Sequence, residues 1–168
     1  MAARFGKLPL NDSPRTSVFR CIDDILRADP NLQRFFSKPG AFRSWRGETT
    51  DKSDFAQTTA PAIRLTPVPE GEEYWYPGQQ KGSLTVRIEL LVTGLCVDDV
   101  ENLFYSIQRA LVPSENTARL AMELRLKQAG AMLGQIHFTQ PATDSDPAAG
   151  ADGQFRAVGT LKTEVRTT

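Results

Sequence analysis

Histidine is almost missing from this chain. Of 168 residues only His137 carries an imidazole, and cysteine occurs twice, as Cys21 and Cys96. A zinc site needs several His or Cys ligands, usually in close pairs. No second histidine exists to join His137, and the two cysteines are far apart in sequence. His137 sits in a strand pattern and reads as structural. Cys21 and Cys96 fall in different predicted elements and read as reduced, buried thiols. An excess of charge of either sign is also lacking, since 20 basic residues face 20 acidic ones. A neutral total argues against indiscriminate polyphosphate binding, which needs many Lys/Arg contacts to release counterions, but it leaves room for a local basic stripe. No run approaches the ~18 apolar residues of a membrane span. The stretch Met1–Lys7 has no signal-peptide core, so no membrane partner and assembly in the cytoplasm are expected.

Motifs that cradle phosphate or present a nucleophile are absent as well: there is no glycine-rich phosphate loop and no G-x-S-x-G elbow. Three acidic pairs occur, Asp23/Asp24, Glu72/Glu73 and Asp98/Asp99. Neighbours on a helix point in different directions, so Asp23 and Asp24 do not share a substrate. Asp98 and Asp99 suit the first turn of a helix, where the dipole favours carboxylates. Asp144 and Asp146 begin like a calcium loop, but Ala149 replaces the required glycine and Phe155 the closing glutamate. The expectation is a protein that is not an enzyme, with no cofactor and no metal.

What is present describes one loop-rich domain. The apolar share is 40% and the charged share 24%, with 11 prolines and 12 glycines; that composition can bury a core. After an extended arm over 1–12, Asn11-Asp12-Ser13-Pro14 starts a helix to about Asp29. Val18, Ile22, Ile25 and Leu26 share its apolar face, and Pro30 ends it. Leu32–Phe36 and Ala41–Trp45 flank the turn Ser37-Lys38-Pro39-Gly40 and read as a hairpin. Pro61–Thr66 reads as a strand, its flanking prolines suggesting a sheet edge. Leu84, Val86, Ile88, Leu90 and Val92 alternate with Thr85, Arg87, Glu89, Leu91 and Thr93, the clearest strand in the chain. Val100, Leu103, Phe104, Ile107 and Leu111 mark an amphipathic helix stopped by Pro113. Residues 115–129 read as a helix with Leu120, Ala121 and Leu124 inward and Gly130 as its stop, although alternation also leaves a strand open. Strands over 131–139 and 154–166 close the chain as an antiparallel hairpin. The fold class is therefore α+β: a single domain, 1–168, with a mixed or antiparallel β-sheet, two or three α-helices and a C-terminal β-hairpin. Long loops fall at about 47–60, 67–82 and 140–153.

Two stretches are candidate interaction sites. Tyr74-Trp75-Tyr76 lies in a loop; such aromatics are enriched at protein interfaces, or they cap their own core. Between Arg34 and Arg46 stand Lys38 and Arg43 with no acid, interleaved with Phe35, Phe36, Phe42 and Trp45. Basic residues among aromatics can serve nucleic acid, but a hairpin with buried aromatics and solvated charges is the preferred reading. Arg34, Arg43 and Arg46 thus join Tyr74, Trp75 and Tyr76 as candidate contact residues.

The element order carries a resemblance. Four stretches form it: helix Val18–Asp29 followed by Pro30-Asn31-Leu32, strand Ala62-Ile63-Arg64-Leu65, strand Leu84–Val92 leading into helix Asp98–Val112, and the closing Gly159–Thr167. This pattern resembles the phage tail terminator (tail completion) proteins over residues 13–168; the insertions at 41–60 and 67–82 are longer than that pattern. The resemblance implies a structural virion protein at the tail–neck junction, forming a hexameric ring that caps the tail tube. Such a ring stops tube polymerisation and offers a docking surface to the head connector, with DNA only in transit through its lumen. Alternatives are another head–tail connector or head-closure neck protein, or a small ligand- or nucleic-acid-binding α+β domain. A pocket binder would need convergent polar side chains, and none can be nominated from the sequence.

The missing ligand sets generate a direct expectation. Purified protein carries no stoichiometric metal, and neither EDTA nor nucleotides shift its melting temperature. A bound metal, or a reproducible shift of several degrees with a nucleotide, would contradict it.

Overall fold

The computed structural model describes residues 14–44, 61–68, 81–93, 97–130, 137–139 and 154–166. In chain order the elements are α1 (Pro14–Ala28), α2 (Pro30–Phe35), β1 (Phe42–Ser44), β2 (Ala62–Val68), β3 (Lys81–Thr93), α3 (Val97–Leu111), α4 (Asn116–Gln128), β4 (His137–Thr139) and β5 (Gln154–Arg166). The strands form one five-stranded sheet in the order β1-β2-β3-β5-β4. β1 runs parallel to β2, and every other pairing is antiparallel. This is the α+β architecture expected from the sequence, and β4–β5 is the closing antiparallel pair.

Strand alternation divides the sheet into two faces. Leu84, Val86, Ile88, Leu90 and Val92 of β3 are all buried, as are Ala157, Leu161 and Val165 of β5. Against this face pack Val18, Phe19, Ile22, Ile25 and Leu26 of α1 and Val100, Leu103, Phe104 and Ile107 of α3, in one cluster. α1 reaches both central strands and touches α2, α3 and α4, so it is the hub of the helical layer. Each helix is apolar on one stripe, and burying that stripe on a half-apolar sheet is what drives a two-layer fold. α3 approaches closely because β5 has Gly159 beneath it. A methyl group at Gly159 would stand 2.5 Å from Cε1 of Phe104.

The expected hairpin between Leu32–Phe36 and Ala41–Trp45 does not form. Its first arm is α2. Asp29 caps that helix, its Oδ1 accepting from the amides of Asn31 at 3.0 Å and Leu32 at 2.9 Å. Pro30, read from the sequence only as a stop, also occupies the first helical turn, where its missing N–H costs nothing. The turn after it is real: Ala41 N–H donates to the carbonyl of Lys38 at 3.0 Å, and Gly40 takes φ 76°. The second arm survives as β1, but its partner is β2, with Phe42 opposite Ile63 and Ser44 opposite Leu65. β2 is therefore not an edge at Ile63–Leu65. Pro67 lies beyond the stretch that β1 pairs, which is where a residue without an N–H is tolerated. Strands β2 and β3 also run into the expected 67–82 loop from both ends.

A second correction concerns α4. The helix exists, and Gly130 ends it at φ 98° with its N–H on the carbonyl of Lys127 at 3.0 Å. Its inward face is different. Leu126 is buried, with Met122 and Ala129 packed on the core, while Leu120 and Leu124 point outward at 62% and 57% exposure. Of the strand expected over 131–139, 137–139 is β4 and 131–136 lies outside the described residues.

Ile88 sits at the centre of this packing, paired with Leu65 on one side and Gly159 on the other. Ile88→Ala lowers unfolding free energy by about 2–5 kcal/mol in a urea titration. A loss under about 1 kcal/mol would place that side chain outside the core.

Candidate interaction surfaces

The basic–aromatic stretch divides rather than converging. Phe36 is buried, and Phe35 meets it edge to face with centroids 5.0 Å apart. Phe42 approaches Phe36 at 6.4 Å, also edge to face. These rings therefore serve the core. Arg34 is exposed on α2, and Arg43 lies in β1 in register with Arg64. Arg46 and the trio Tyr74, Trp75 and Tyr76 lie outside the described residues.

A polar lock ties this region to α1. Arg27 Nε donates to Asp23 Oδ1 at 2.9 Å, and the Ser44 hydroxyl donates to Asp23 Oδ2 at 3.0 Å. Arg27 also donates to the Ser44 hydroxyl oxygen at 3.1 Å, and its guanidinium lies 4.6 Å from the centroid of the Phe42 ring. Asp23 is fully buried and Asp24 exposed, so the adjacent carboxylates face different surroundings, as helical geometry requires. The cluster binds β1 to α1. With Asp23 inaccessible to solvent, it offers no carboxylate to a substrate.

Among the described residues no three His, Cys, Asp or Glu side chains converge on a metal position. Cys21 is a half-buried free thiol whose Sγ lies 3.9 Å from the carbonyl of Arg125. Burial pushes its pKa up, opposed by the nearby Arg125 charge, so the thiol stays protonated at neutral pH and is a poor nucleophile. Cys96 lies outside the described residues. No described helix is long and apolar enough to cross a membrane.

The most organised polar group was not anticipated from the sequence. Glu89 of β3 faces away from the helices yet is only 1% exposed. Arg64, directly opposite on β2, donates through Nε to Glu89 Oε2 at 2.6 Å and pairs through a terminal nitrogen with the same oxygen. Arg87, two residues along β3, reaches Oε1 at 3.4 Å. A buried carboxylate is tolerated only when its oxygens are satisfied, and two guanidinium groups do this here. Glu89 and Arg87 are on the same face of one strand, a spacing the sequence displays. Arg64 is 25 residues away and gave no local signal.

Removing this carboxylate takes from Arg64, whose side chain is 16% exposed, its ion-pair partner on β3. Glu89→Gln therefore lowers stability by about 1–3 kcal/mol, below the full cost of a buried pair because Arg87 is solvated. Chemical denaturation measures it, and a change under about 0.5 kcal/mol would show that the pair does not hold the face. The chain matches no protein-family model and no curated protein.

Proposed function

We propose that this chain is the subunit of a hexameric ring that caps a phage tail tube, ends its polymerisation and presents a docking surface to the head connector. It acts by binding proteins and catalyses nothing. Its place is the tail–neck junction of the virion.

The observation that carries the reading is the arrangement of α1, β2, β3–α3 and the closing β5, the order that resembles tail terminators. The shape supports it. A closed ring needs a heterologous contact, with one face of a subunit meeting a different face of the next. The described helices occupy one face of the sheet, short strands β1 and β4 stand at opposite ends of it, and Leu120 and Leu124 project from α4. The domain thus offers several unlike surfaces, among them strand edges suited to pairing.

Negative-stain imaging of the protein with tail tubes tests the assignment. A six-fold ring at the tube end supports it. A twelve-fold ring means a connector instead, and protein that stays monomeric on tubes overturns the ring. Trp75 is the expected anchor of assembly, since buried tryptophans dominate many interfaces. Trp75→Ala keeps the circular dichroism spectrum and weakens assembly by at least ~2 kcal/mol in mass photometry on tubes. Unchanged assembly would remove the aromatic segment from the interface, and loss of folding would assign Trp75 to the domain's own core.

A further inference from the structure

The outer side of α4 is apolar at its middle. Leu120 and Leu124 are each more than half exposed, although α4 already packs Leu126, Met122 and Ala129 on the core with its other side. The large apolar side chains exposed among the described residues are Tyr105, Val112, Leu120 and Leu124, all within the stretch from α3 to α4. Leu120 and Leu124 stand one turn apart, about 6 Å along the axis. By helical spacing Thr117 and Ala121 flank them on one side, and Arg119, Glu123 and Lys127 on the other. Thr117 and Ala121 are small and exposed, so the two leucines rise beside a low shelf.

That shelf is too small to hold two copies of α4 together. The helix has 13 residues. Its outer face is about 20 Å by about 10 Å, far below the ~800 Å² that each partner of a stable pair buries. A thin, extended segment with its own apolar side chains fits it better.

Residues 1–13 have that chemistry. They lie outside the described residues and lead directly into α1, which packs against α4. Phe5, Leu8 and Leu10 are their large apolar side chains besides Met1. Pro9 restricts Leu8 to extended backbone. In an extended chain, residues two apart project to one side at about 7 Å. The Leu8–Leu10 spacing therefore matches the Leu120–Leu124 spacing.

Reach decides which copy of α4 receives the arm. Cys21 Sγ lies 3.9 Å from the carbonyl of Arg125, so α1 and α4 run past each other there. Pro14 is about 10 Å back along α1. The outer face of α4 stands about 14 Å from the axis of α1, measured straight through α4. Leu10 extends at most ~14 Å from Pro14, and its chain has to pass round the helix. It falls short of its own α4.

We infer that residues 5–10 of each subunit dock on the outer face of α4 of the next subunit, with Leu8 and Leu10 against Leu120 and Leu124. Each copy gives an arm at one place and receives one at another, the unlike-face contact that closes a ring. One such contact is small, and closure lets the repeated contacts reinforce one another. The inference rests on the ring reading and deepens it by naming both sides of a subunit contact.

Paired cysteines test it in the full chain carrying Cys21→Ser and Cys96→Ser. Leu10→Cys is combined with Leu120→Cys or with Leu124→Cys, oxidised by copper–phenanthroline on tail tubes, and run on a non-reducing gel. At least one pair gives a ladder of linked chains. Leu10→Cys with Lys162→Cys, across the sheet from the helices, gives none. Separately, Leu120→Asp with Leu124→Asp keeps the circular dichroism spectrum and weakens assembly on tubes at least ~10-fold in mass photometry. An internal disulfide within single chains returns the arm to its own α4 and overturns the inference. No linkage from either pair overturns it too, as does unchanged assembly of the double Asp variant. The two readings fail separately. A ladder that ends at two chains keeps the arm contact and removes the six-fold ring, and six-fold rings without linkage keep the ring and remove the arm.

Discussion

Thirteen residues of β3 pair one to one with thirteen of β5, from Lys81 opposite Arg166 to Thr93 opposite Gln154. The rest of the domain is placed by reference to this ladder. It supplies the apolar rows on which α1 and α3 rest, and β2 and β4 are laid against its two outer sides. Because side chains alternate strictly, its register also decides which residues meet on the other face. A one-residue slip would turn Leu84, Val86 and Ile88 to solvent and drive Thr85, Arg87 and Glu89 into the helices. The buried row and the polar row thus enforce each other, and the Arg64–Glu89 pair fixes β2 in the same register from the polar side.

The two strands of the ladder were legible in the sequence because both follow period two over a long run, and α3 because its apolar stripe is undiluted; that β3 pairs with β5 was not legible, since no local signal links strands so far apart. Where one residue had two roles, the reading failed. Pro30 ends α1 and begins α2, and only the capping geometry of Asp29 reveals the second function. α4 defeats periodicity for another reason. It carries leucines in both directions, Leu126 inward and Leu120 and Leu124 outward, so pattern alone cannot choose a face. Parallel pairing of β1 with β2 was unreadable because nothing local in Phe42–Ser44 encodes a partner some twenty residues on. The candidate surfaces were the least legible. Arg34–Arg46 drew notice since its basic residues lie close together with no acid between them, yet Phe35, Phe36 and Phe42 are spent on packing. The Arg64–Glu89 pair, which joins two strands, becomes visible only once register is known.

This separates two uses of charge in one small domain. Asp23 with Arg27 and Ser44, like Glu89 with Arg64, is inward-looking: charges are matched and withdrawn from water to hold elements together. Lys162 is exposed and outward-looking, and its value depends on what approaches. Composition averages the two and reports zero.

The contact of Phe104 with Gly159 has a mechanical meaning. The inward positions either side of Gly159 on β5 are Ala157 and Leu161, both buried. The aromatic ring therefore rests in a notch one residue long, with side chains as its walls. Gliding of α3 along the strand is blocked in both directions, so the helix has an indexed position and not a continuous range. Layers joined only by smooth apolar surfaces can shear. These two are keyed, and a load applied to the sheet is passed to the helices as displacement of the whole body.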